Sequence, residues 1–289
     1  MNEFIELLIT PFTFSFMQKA IISALITGSV CAILSCFLIL KGWSLMGDAI
    51  SHAVLPGIIL AFLFGIPLSF GAFLSGFFCS YATGYLKNNS RIKEDTIMGI
   101  VFSGMFALGL VLFTYIDTDQ HLTHILFGNI LGINEIEFQQ ILWISGFSAV
   151  MILLKHKDFL IYCFDPNQAK IVGLSVEILH YWFLSLLSLI IVASLQAVGI
   201  IVVIAMLISP GIIAFTLCKN FKKMVIIAII VSITSSFLGT IISFYIDGAT
   251  GPCIVITQAI YFIISLIYNY IKKTYNHFIF RSDKNLKKT

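Results

Sequence analysis

The stretch GDAISHAVLPG, residues 47–57, places a carboxylate and an imidazole inside one of many long apolar segments of the chain. Ionisable side chains are costly in hydrocarbon, and almost every other one in this sequence lies at a segment end or in a connection. Asp48 and His52 have helical i, i+4 spacing and therefore share one face of a helix. A carboxylate oxygen beside an imidazole nitrogen suits a hard or borderline divalent metal ion. The pair is therefore our first candidate for a functional site.

The composition around this stretch indicates a polytopic membrane protein. Of the 289 residues, 59% are hydrophobic and only 11% are charged, with a mean hydropathy of +1.01. A soluble domain carries about 25% charged residues. Because a membrane-spanning helix needs roughly 20 apolar residues, we predict an all-α protein with about nine such helices. Their approximate spans are 17–40, 44–65, 67–86, 96–115, 138–154, 179–196, 198–218, 224–246 and 252–271.

Two of the divisions between these helices are weak. Residues 65–67 and 196–198 leave almost no room for a connection, and each fits either a tight hairpin or a broken helix. Eight membrane helices therefore remain an alternative to nine. No linker, low-complexity tract or clear internal repeat divides the chain, so residues 1–289 are predicted to form a single transmembrane domain.

Lysine and arginine residues set the predicted orientation. In the nine-helix arrangement all of the 17 basic residues except Lys19 fall on one side of the membrane. That side is the cytoplasmic one by the positive-inside rule, which leaves the N-terminus outside and the C-terminus in the cytoplasm. The first apolar segment is expected to stay in the protein, because Glu3 and Glu6 precede it and no small-residue cleavage pattern follows. The outer side is acidic, which either concentrates cations or merely reflects the basic asymmetry.

Several motifs are absent from the sequence, and their absence removes whole classes of function. There is no GxxxxGK[ST], so we expect no ATP binding through a P-loop. There is no HExxH and no GxSxG, which removes zincin proteases and the simplest serine hydrolases. The six cysteines form no CxxC, and neither disulfides nor a thiolate metal site are expected. A permease or pore driven by energy from elsewhere remains.

Six blocks of sequence resemble one family, the bacterial ATP-binding-cassette permeases that import manganese, iron or zinc. The wording of the first and last blocks is closest to the manganese and iron branch. The blocks are LKGWSLMGDAISHAVLPG (40–57), RIKEDTIMGIVFS (91–103), FGNILGI (127–133), DPNQAKIVGL (165–174), LQAVGIIVVIAMLISPG (195–211) and DGATGPCIVITQ (247–258).

The resemblance implies a set of partners and a role for the buried pair. It implies two permease subunits, either identical or different, with two cytoplasmic ATPase subunits and an external metal-binding protein, in the bacterial inner (plasma) membrane. It also implies that Asp48 and His52 line the metal path, with the metal as cargo and no permanently bound cofactor. Membrane lipid surrounds such a protein, and no nucleic-acid partner is expected.

The residues around the pair support this role but leave a purely structural alternative open. In a helix starting near Lys41, His52 lies about 16 Å along the axis, close to the midplane of the bilayer. Two subunits would together offer four ligands around an axial path. In the alternative, Asp48 caps the helix after Gly47 and His52 bonds a neighbouring carbonyl group.

Other polar and flexible features carry weaker expectations. His121 and His124, near Asp117 and Asp119, fit an outer metal-handling cluster, but a solvated loop explains them as well, so they are left outside the site. The turn-rich segment 247–252, with Asp247, is a candidate gate at the outer mouth.

Two proline–glycine pairs interrupt the apolar segments. Pro56–Gly57 and Pro210–Gly211 are both expected to break the helical pattern. Each could serve as a hinge or merely as a packing site.

A cytoplasmic connection over residues 155–178 is too apolar for a free linker. By the resemblance it is the coupling segment that docks in the ATPase, whereas an amphipathic helix on the membrane surface is the alternative. Gly173 is expected to allow close backbone approach or to end a short helix. The segment carries Asp165, Lys170 and Glu177 around a predicted apolar stripe of Ala169, Ile171, Val172 and Leu174.

The sequence thus predicts the membrane-spanning permease subunit of an ATP-driven importer of divalent metal ions. Manganese or iron is the first choice and zinc the second, because aspartate and histidine ligation alone does not separate these metals. A self-sufficient cation channel or secondary transporter is the alternative. The chain is not expected to be an enzyme, since no nucleophile or second carboxylate accompanies Asp48 and His52.

Overall fold

The chain folds into a bundle of long helices joined by short connections. The computed structural model describes residues 10–43, 45–114 and 132–286, and within these ranges every regular element is helical. A 3-10 turn, Thr10–Thr13, precedes the first helix. The helices are α1 (Ser15–Lys41), α2 (Met46–Ala53), α3 (Leu55–Phe64), α4 (Leu68–Asn89), α5 (Glu94–Thr114), α6 (Glu135–Phe164), α7 (Pro166–Ile171), α8 (Val176–Val198), α9 (Ile200–Leu217), α10 (Phe221–Ile246) and α11 (Thr250–Leu286).

Eight helical segments in the described part of the chain are long and apolar enough to cross a membrane. They comprise α1, the α2–α3 pair, α5, α6, α8, α9, α10 and the first 25 residues of α11. The prediction of an all-α polytopic membrane protein is therefore confirmed. The predicted span 67–86 corresponds to α4. Its 22 residues include too many serines, glycines and asparagines to meet the same apolar criterion.

Contacts at the two ends of α4 nevertheless show that it runs the length of the bundle. Ser69, in its first turn, donates a hydrogen bond to Gln140 near the start of α6, at 3.3 Å. Gly84, near its other end, lies against His180 near the start of α8. Since the chain enters α6 and α8 at opposite ends of the bundle, α4 connects the two ends. The arrangement therefore fits nine crossings.

Both weak divisions are helical hairpins. At the first, Gly65 adopts a left-handed φ of 66° after α3, and the chain returns so that Gly57 packs directly on Gly71. At the second, α8 runs antiparallel to α1. Phe183, in the first half of α8, contacts Phe37, and Ser194, near its end, contacts Cys31.

After Gly199, with a φ of 80°, α9 runs back in the direction opposite to α8, and the carbonyl of its Ile208 accepts from the Ser35 hydroxyl. The chain thus reverses direction at a single glycine.

Helix α1 lies at the centre of the bundle, in contact with α6, α8, α9 and α10. Its buried positions are filled largely by small side chains, such as Ala20, Ala24 and Cys31, which let neighbouring helices approach closely. Because hydrocarbon provides no hydrophobic drive between helices, this close packing is what holds the bundle together. The chain leaves α1 at Gly42, in the left-handed conformation with a φ of 76°, and turns towards α2.

The expected break at Pro210 is not observed, because α9 continues through it from Ile200 to Leu217. A proline frees the carbonyl group one turn earlier and removes an N–H group from the helix. Here the Ser35 hydroxyl of α1 donates to the Ile208 carbonyl at 3.1 Å and accepts from the Gly211 N–H at 3.0 Å. A serine of a neighbouring helix therefore contributes two hydrogen bonds beside Pro210, in a helix that continues past it.

The cytoplasmic connection predicted to begin at residue 155 begins ten residues later. Helix α6 continues to Phe164, which leaves only the segment 165–175 between α6 and α8. The extension is stabilised by an ion pair between Lys155 and Asp158 at 3.1 Å, one helical turn apart. The charges mark where the hydrocarbon is expected to end, whereas the helix itself extends beyond them.

Candidate functional site

Helix α2, a helix of eight residues, carries both candidate ligands. It begins at Met46, because the turn at Gly42 separates it from α1. The rise from the start of α2 to His52 is therefore about 9 Å at 1.5 Å per residue. This corrects the estimate of about 16 Å, which assumed a helix continuous from Lys41.

Asp48 and His52 lie side by side on the one open face of this helix. His52 Nε2 is 3.3 Å from Asp48 Oδ1, and the side chains are 28% and 32% exposed, respectively. The other residues of α2 (Met46, Gly47, Ala49, Ile50, Ser51 and Ala53) are all buried. The pair therefore forms a small polar opening in an apolar surface of this chain.

Neither contact expected for a purely structural pair is present in the structure. The N-cap residue of α2 is Leu45, and no side chain forms a cap hydrogen bond there. His52 Nδ1 is buried and has no hydrogen-bond partner among the described residues. Asp48 lies in the first turn, where the positive end of the helix dipole stabilises a carboxylate. Both side chains thus retain lone pairs that a cation can use.

Two phenylalanines of α5 form an aromatic wall beside the pair, and sequence reasoning missed them. The His52 ring stacks on Phe102 with centroids 6.2 Å apart and meets the Phe106 ring edge-on at 5.2 Å. The i, i+4 spacing of the two phenylalanines was the available signal, since it places both on one face of α5. The two rings restrict the orientation of the imidazole and give it an apolar neighbour on this side.

The helix ends one residue beyond His52 for a local reason. Pro56 has no N–H group to donate to the carbonyl group of His52, and the chain passes through Val54 into α3. Next to it, Gly57 packs on Gly71, where an added Cβ would lie 2.1 Å from the Gly71 carbonyl oxygen. The packing role considered for Gly57 is thus observed.

The pair itself supplies two donors. Among the described residues no group of three or more histidine, cysteine, aspartate and glutamate side chains could hold a metal ion. His121, His124, Asp117 and Asp119 lie outside the described residues.

Asp247 occupies the turn between α10 and α11, with a left-handed φ of 52° and an exposed side chain. Ser243 stabilises that turn by donating to the Gly248 carbonyl group at 2.7 Å and by a hydrogen bond with the Thr250 hydroxyl at 2.8 Å.

The segment 165–175 contains the short helix α7. Asp165 caps its start by accepting from the N–H groups of Asn167 and Gln168, at 2.9 and 3.3 Å. Gly173, with a φ of 86° and no atom within 4 Å of an added Cβ, ends it. Of the two roles expected for Gly173, the structure therefore shows the helix end.

The apolar stripe predicted for this segment does not form one face. Ala169 is fully buried against the rest of the chain, and Leu174 is half-buried. Ile171 and Val172 point outwards instead, with 84% and 61% of their surfaces exposed. Ile171 and Val172 follow Ala169 by two and three residues and so lie on other sides of the short helix. The turn at Gly173 then brings Leu174 back to Ala169, whose carbonyl accepts from the Leu174 N–H at 3.0 Å. Two aliphatic side chains thus project from the end of the bundle.

Comparisons with known proteins agree on one family. The profile described as "ABC 3 transport family" matches residues 13–269. The chain is 67% identical over 272 residues to the "Chelated iron transport system membrane protein YfeD" of Yersinia pestis, covering 94% of this chain and 92% of that protein. It is 48% identical over 260 residues to the "Manganese transport system membrane protein MntB" of Synechocystis sp., covering 90% and 85%.

A solved structure shows the same fold. A chain of "PsaBC from Streptococcus pneumoniae in complex with Fab" matches with a TM-score of 0.82 and 38% identity. The match covers 91% of this chain and 95% of that one. The similarity therefore extends over nearly the whole bundle rather than over a single motif.

Proposed function

The chain belongs to the ABC 3 transport family, and from this premise we propose that it is the membrane-spanning subunit of an ATP-driven importer of divalent metal ions. Manganese and iron are the favoured cargoes, because relatives with 67% and 48% identity carry iron and manganese transport in their names. Zinc is the second choice. The chain itself performs no chemical conversion and provides alternating access for the ion.

The Asp48–His52 pair is the observation that carries the proposal. A carboxylate and an imidazole at 3.3 Å, on the open face of a membrane helix, offer one hard and one borderline donor to a divalent cation. Two donors are too few to replace the hydration shell of such an ion. The half-exposed side chains leave room for further ligands, and among the described residues no third histidine, cysteine, aspartate or glutamate joins them.

A second permease subunit is the partner that supplies those ligands in our proposal. If the partner presents a similar pair, whether as an identical or a related subunit, four protein ligands surround the path. Weak, shared coordination also suits transport, since the site must release the ion after binding it. The aromatic wall of Phe102 and Phe106 would keep water away from the ion at this point.

Energy comes from cytoplasmic ATPase subunits that dock on the coupling segment, predicted over 155–178, through the part of it that lies outside α6, residues 165–175. Its structured part, α7 with the turn at Gly173, projects Ile171 and Val172 away from the bundle. Exposed aliphatic side chains on a capped, rigid turn are suited to filling a groove on a partner protein. The bundle then has its N-terminus outside, where an external metal-binding protein delivers the ion, and its C-terminus in the cytoplasm.

The requirement for an ATPase separates this proposal from the alternative of a self-sufficient channel or secondary transporter. Proteoliposomes containing the assembled complex should accumulate Mn²⁺ or Fe²⁺ only with ATP, and liposomes containing the chain alone should not. Metal uptake by the chain alone, without ATP, would establish the alternative. Competition among Mn²⁺, Fe²⁺ and Zn²⁺ in the same assay would rank the cargoes.

A further inference from the structure

Four side chains meet where α1, α6 and α8 come together at one end of the bundle, and we call them the clamp: Lys41, Trp43, Tyr162 and His180. The Tyr162 hydroxyl and His180 Nδ1 share a hydrogen bond of 2.7 Å. The Trp43 ring meets the His180 ring edge-on, with centroids 5.4 Å apart. Trp43 and Tyr162 are 3% and 2% exposed and lie in the interior, whereas Lys41 and His180 are half-buried.

Lys41, the last residue of α1, contacts Tyr162 at the end of α6. Its ammonium group lies 4.0 Å from the centroid of the Tyr162 ring and 5.5 Å from that of the Trp43 ring. It also donates to the carbonyl oxygen of Tyr162 at 3.4 Å. A cation over aromatic faces is attracted to them more strongly when it is desolvated. The clamp is thus held by directional contacts that resist sliding.

On one side the clamp adjoins α7 and the turn that follows it. Tyr162 lies in the last turn of α6, immediately before Asp165, the cap residue of α7. His180 lies in the second turn of α8, which follows the turn at Gly173. The Tyr162–His180 hydrogen bond therefore links α6 and α8, the two helices that α7 connects. A force on α7 acts on both helices at this bond.

On the other side the clamp adjoins the helix that carries the metal ligands. The Trp43 N–H donates to the Leu38 carbonyl at 2.9 Å, and the Trp43 carbonyl accepts from the N–H of Met46 at 3.2 Å. Met46 is the first residue of α2, and Asp48 is in the same turn. These two bonds link the backbone of Trp43 to the start of α2, in the turn that carries Asp48.

We propose that the clamp transmits movement of the coupling segment to the Asp48–His52 helix, with Tyr162 and His180 as positioning residues that touch neither the metal nor ATP. This inference rests on the proposed function. A feature of α4 supports it, because His180 fits only where Gly84 has no side chain. A Cβ there would lie 2.7 Å from His180 Nε2. The imidazole is thus fixed from three sides, by α4, α6 and the Trp43 turn.

The test is a comparison of Tyr162→Phe with Tyr181→Phe in the complete transporter in proteoliposomes. Tyr162→Phe removes only the hydroxyl that bonds His180, whereas Tyr181→Phe removes a neighbouring hydroxyl outside that bond. For each complex we would measure Mn²⁺ affinity, ATP hydrolysis and ions transported per ATP. We expect Tyr162→Phe to lower ions per ATP about fivefold, the factor that one hydrogen bond is worth. Its Mn²⁺ affinity should stay within about twofold of wild type.

Gly84→Ala is the second variant, since it displaces the His180 ring without a substitution at any of the four clamp residues. It should reproduce the loss of coupling. Wild-type ions per ATP in Tyr162→Phe would overturn the link, as would an equal loss of ions per ATP in Tyr181→Phe. A parallel loss of Mn²⁺ affinity would reduce the clamp to a structural role and overturn it as well. If wild-type complexes fail to transport at all, the proposed function itself fails, and the link fails with it.

Discussion

Asp48 and His52 are the only half-exposed side chains on a helix whose other residues are buried. Their recognition from sequence needed only one physical rule, the cost of an ionisable group in hydrocarbon. The same rule applies to His180, which was overlooked. His180 lies near the start of a predicted span, where a polar residue looks like a segment end, and only the structure reveals that it points inwards to Tyr162.

Removal of either candidate ligand should abolish metal accumulation. We expect Asp48→Ala and His52→Ala each to reduce uptake by more than the roughly 10–100-fold that loss of an outer-shell partner costs in metal affinity. Both variants should still reach the membrane, because truncation of a half-exposed side chain leaves no buried cavity. Uptake of radioactive or fluorescently detected Mn²⁺, normalised to permease in the membrane fraction, is the measurement.

Matched controls for these two variants lie in the C-terminal third of α6. Asp158→Ala and His156→Ala remove the same two residue types from positions far along the chain from α2. There Asp158 accepts from Lys155, and His156 forms a hydrogen bond with the Leu153 carbonyl group. Both controls should transport normally. Wild-type uptake in the Asp48 and His52 variants would exclude the pair as the metal path.

The ends of helices were predicted less well than their existence. The sequence predicts that the span 138–154 stops before Lys155, because charge indicates where hydrocarbon ends. The helix itself continues to Phe164, since hydrogen bonds along α6 persist in water. Likewise, a proline normally predicts a break. No sequence pattern reveals that Ser35, far away in the sequence but on a neighbouring helix, forms hydrogen bonds on both sides of Pro210.

The turn that ends α7 offers a test of coupling at the level of one element. Gly173 has a φ of 86°, a conformation that costs a residue with a Cβ roughly 1–2 kcal/mol, and tryptophan adds bulk beside Val172. We expect Gly173→Trp to weaken assembly with the ATPase and to lower metal-stimulated ATP hydrolysis and uptake together. Metal binding at Asp48 and His52 should persist. ATPase and uptake assays on the same complexes are the measurements.

Gly173→Asn is the appropriate companion variant, because asparagine tolerates the left-handed conformation better than other residues with a side chain. It should retain most of the coupling. Normal rates of hydrolysis and uptake in Gly173→Trp would show that this segment is not the transmission element. The interpretation of residues 165–177 as a helix on the membrane surface would then replace it.

The number of membrane crossings decides how the whole molecule is oriented. With nine crossings the two termini lie on opposite sides, and with eight they lie on the same side. The basic residues predicted nine, whereas composition alone identifies eight, and α4 is the helix in question. Its contacts with Gln140 and His180 at opposite ends favour the count of nine.

Labelling with a membrane-impermeant maleimide can test this arrangement. We expect Ile66→Cys, in the turn before α4, to react from outside intact cells. Asn89→Cys, at the end of α4, should react only after permeabilisation. Both sites are exposed in the structure, and the partly exposed Cys218 and Cys253 would be replaced by serine to lower the background. Labelling of both sites from the same side would remove α4 from the set of crossings.

Synthesis of the protein must deliver α4 into the bilayer although its composition does not favour insertion on its own. Its partner α3 is strongly apolar, and the two backbones touch at Gly57 and Gly71, where a Cβ on either glycine would lie within 2.2 Å of a carbonyl oxygen. The two helices are therefore expected to leave the translocon together as one preassembled unit. A side chain at Gly57 would then act during biogenesis. Quality-control proteases would remove the chain, and the loss of transport would reflect missing protein and not a damaged metal path.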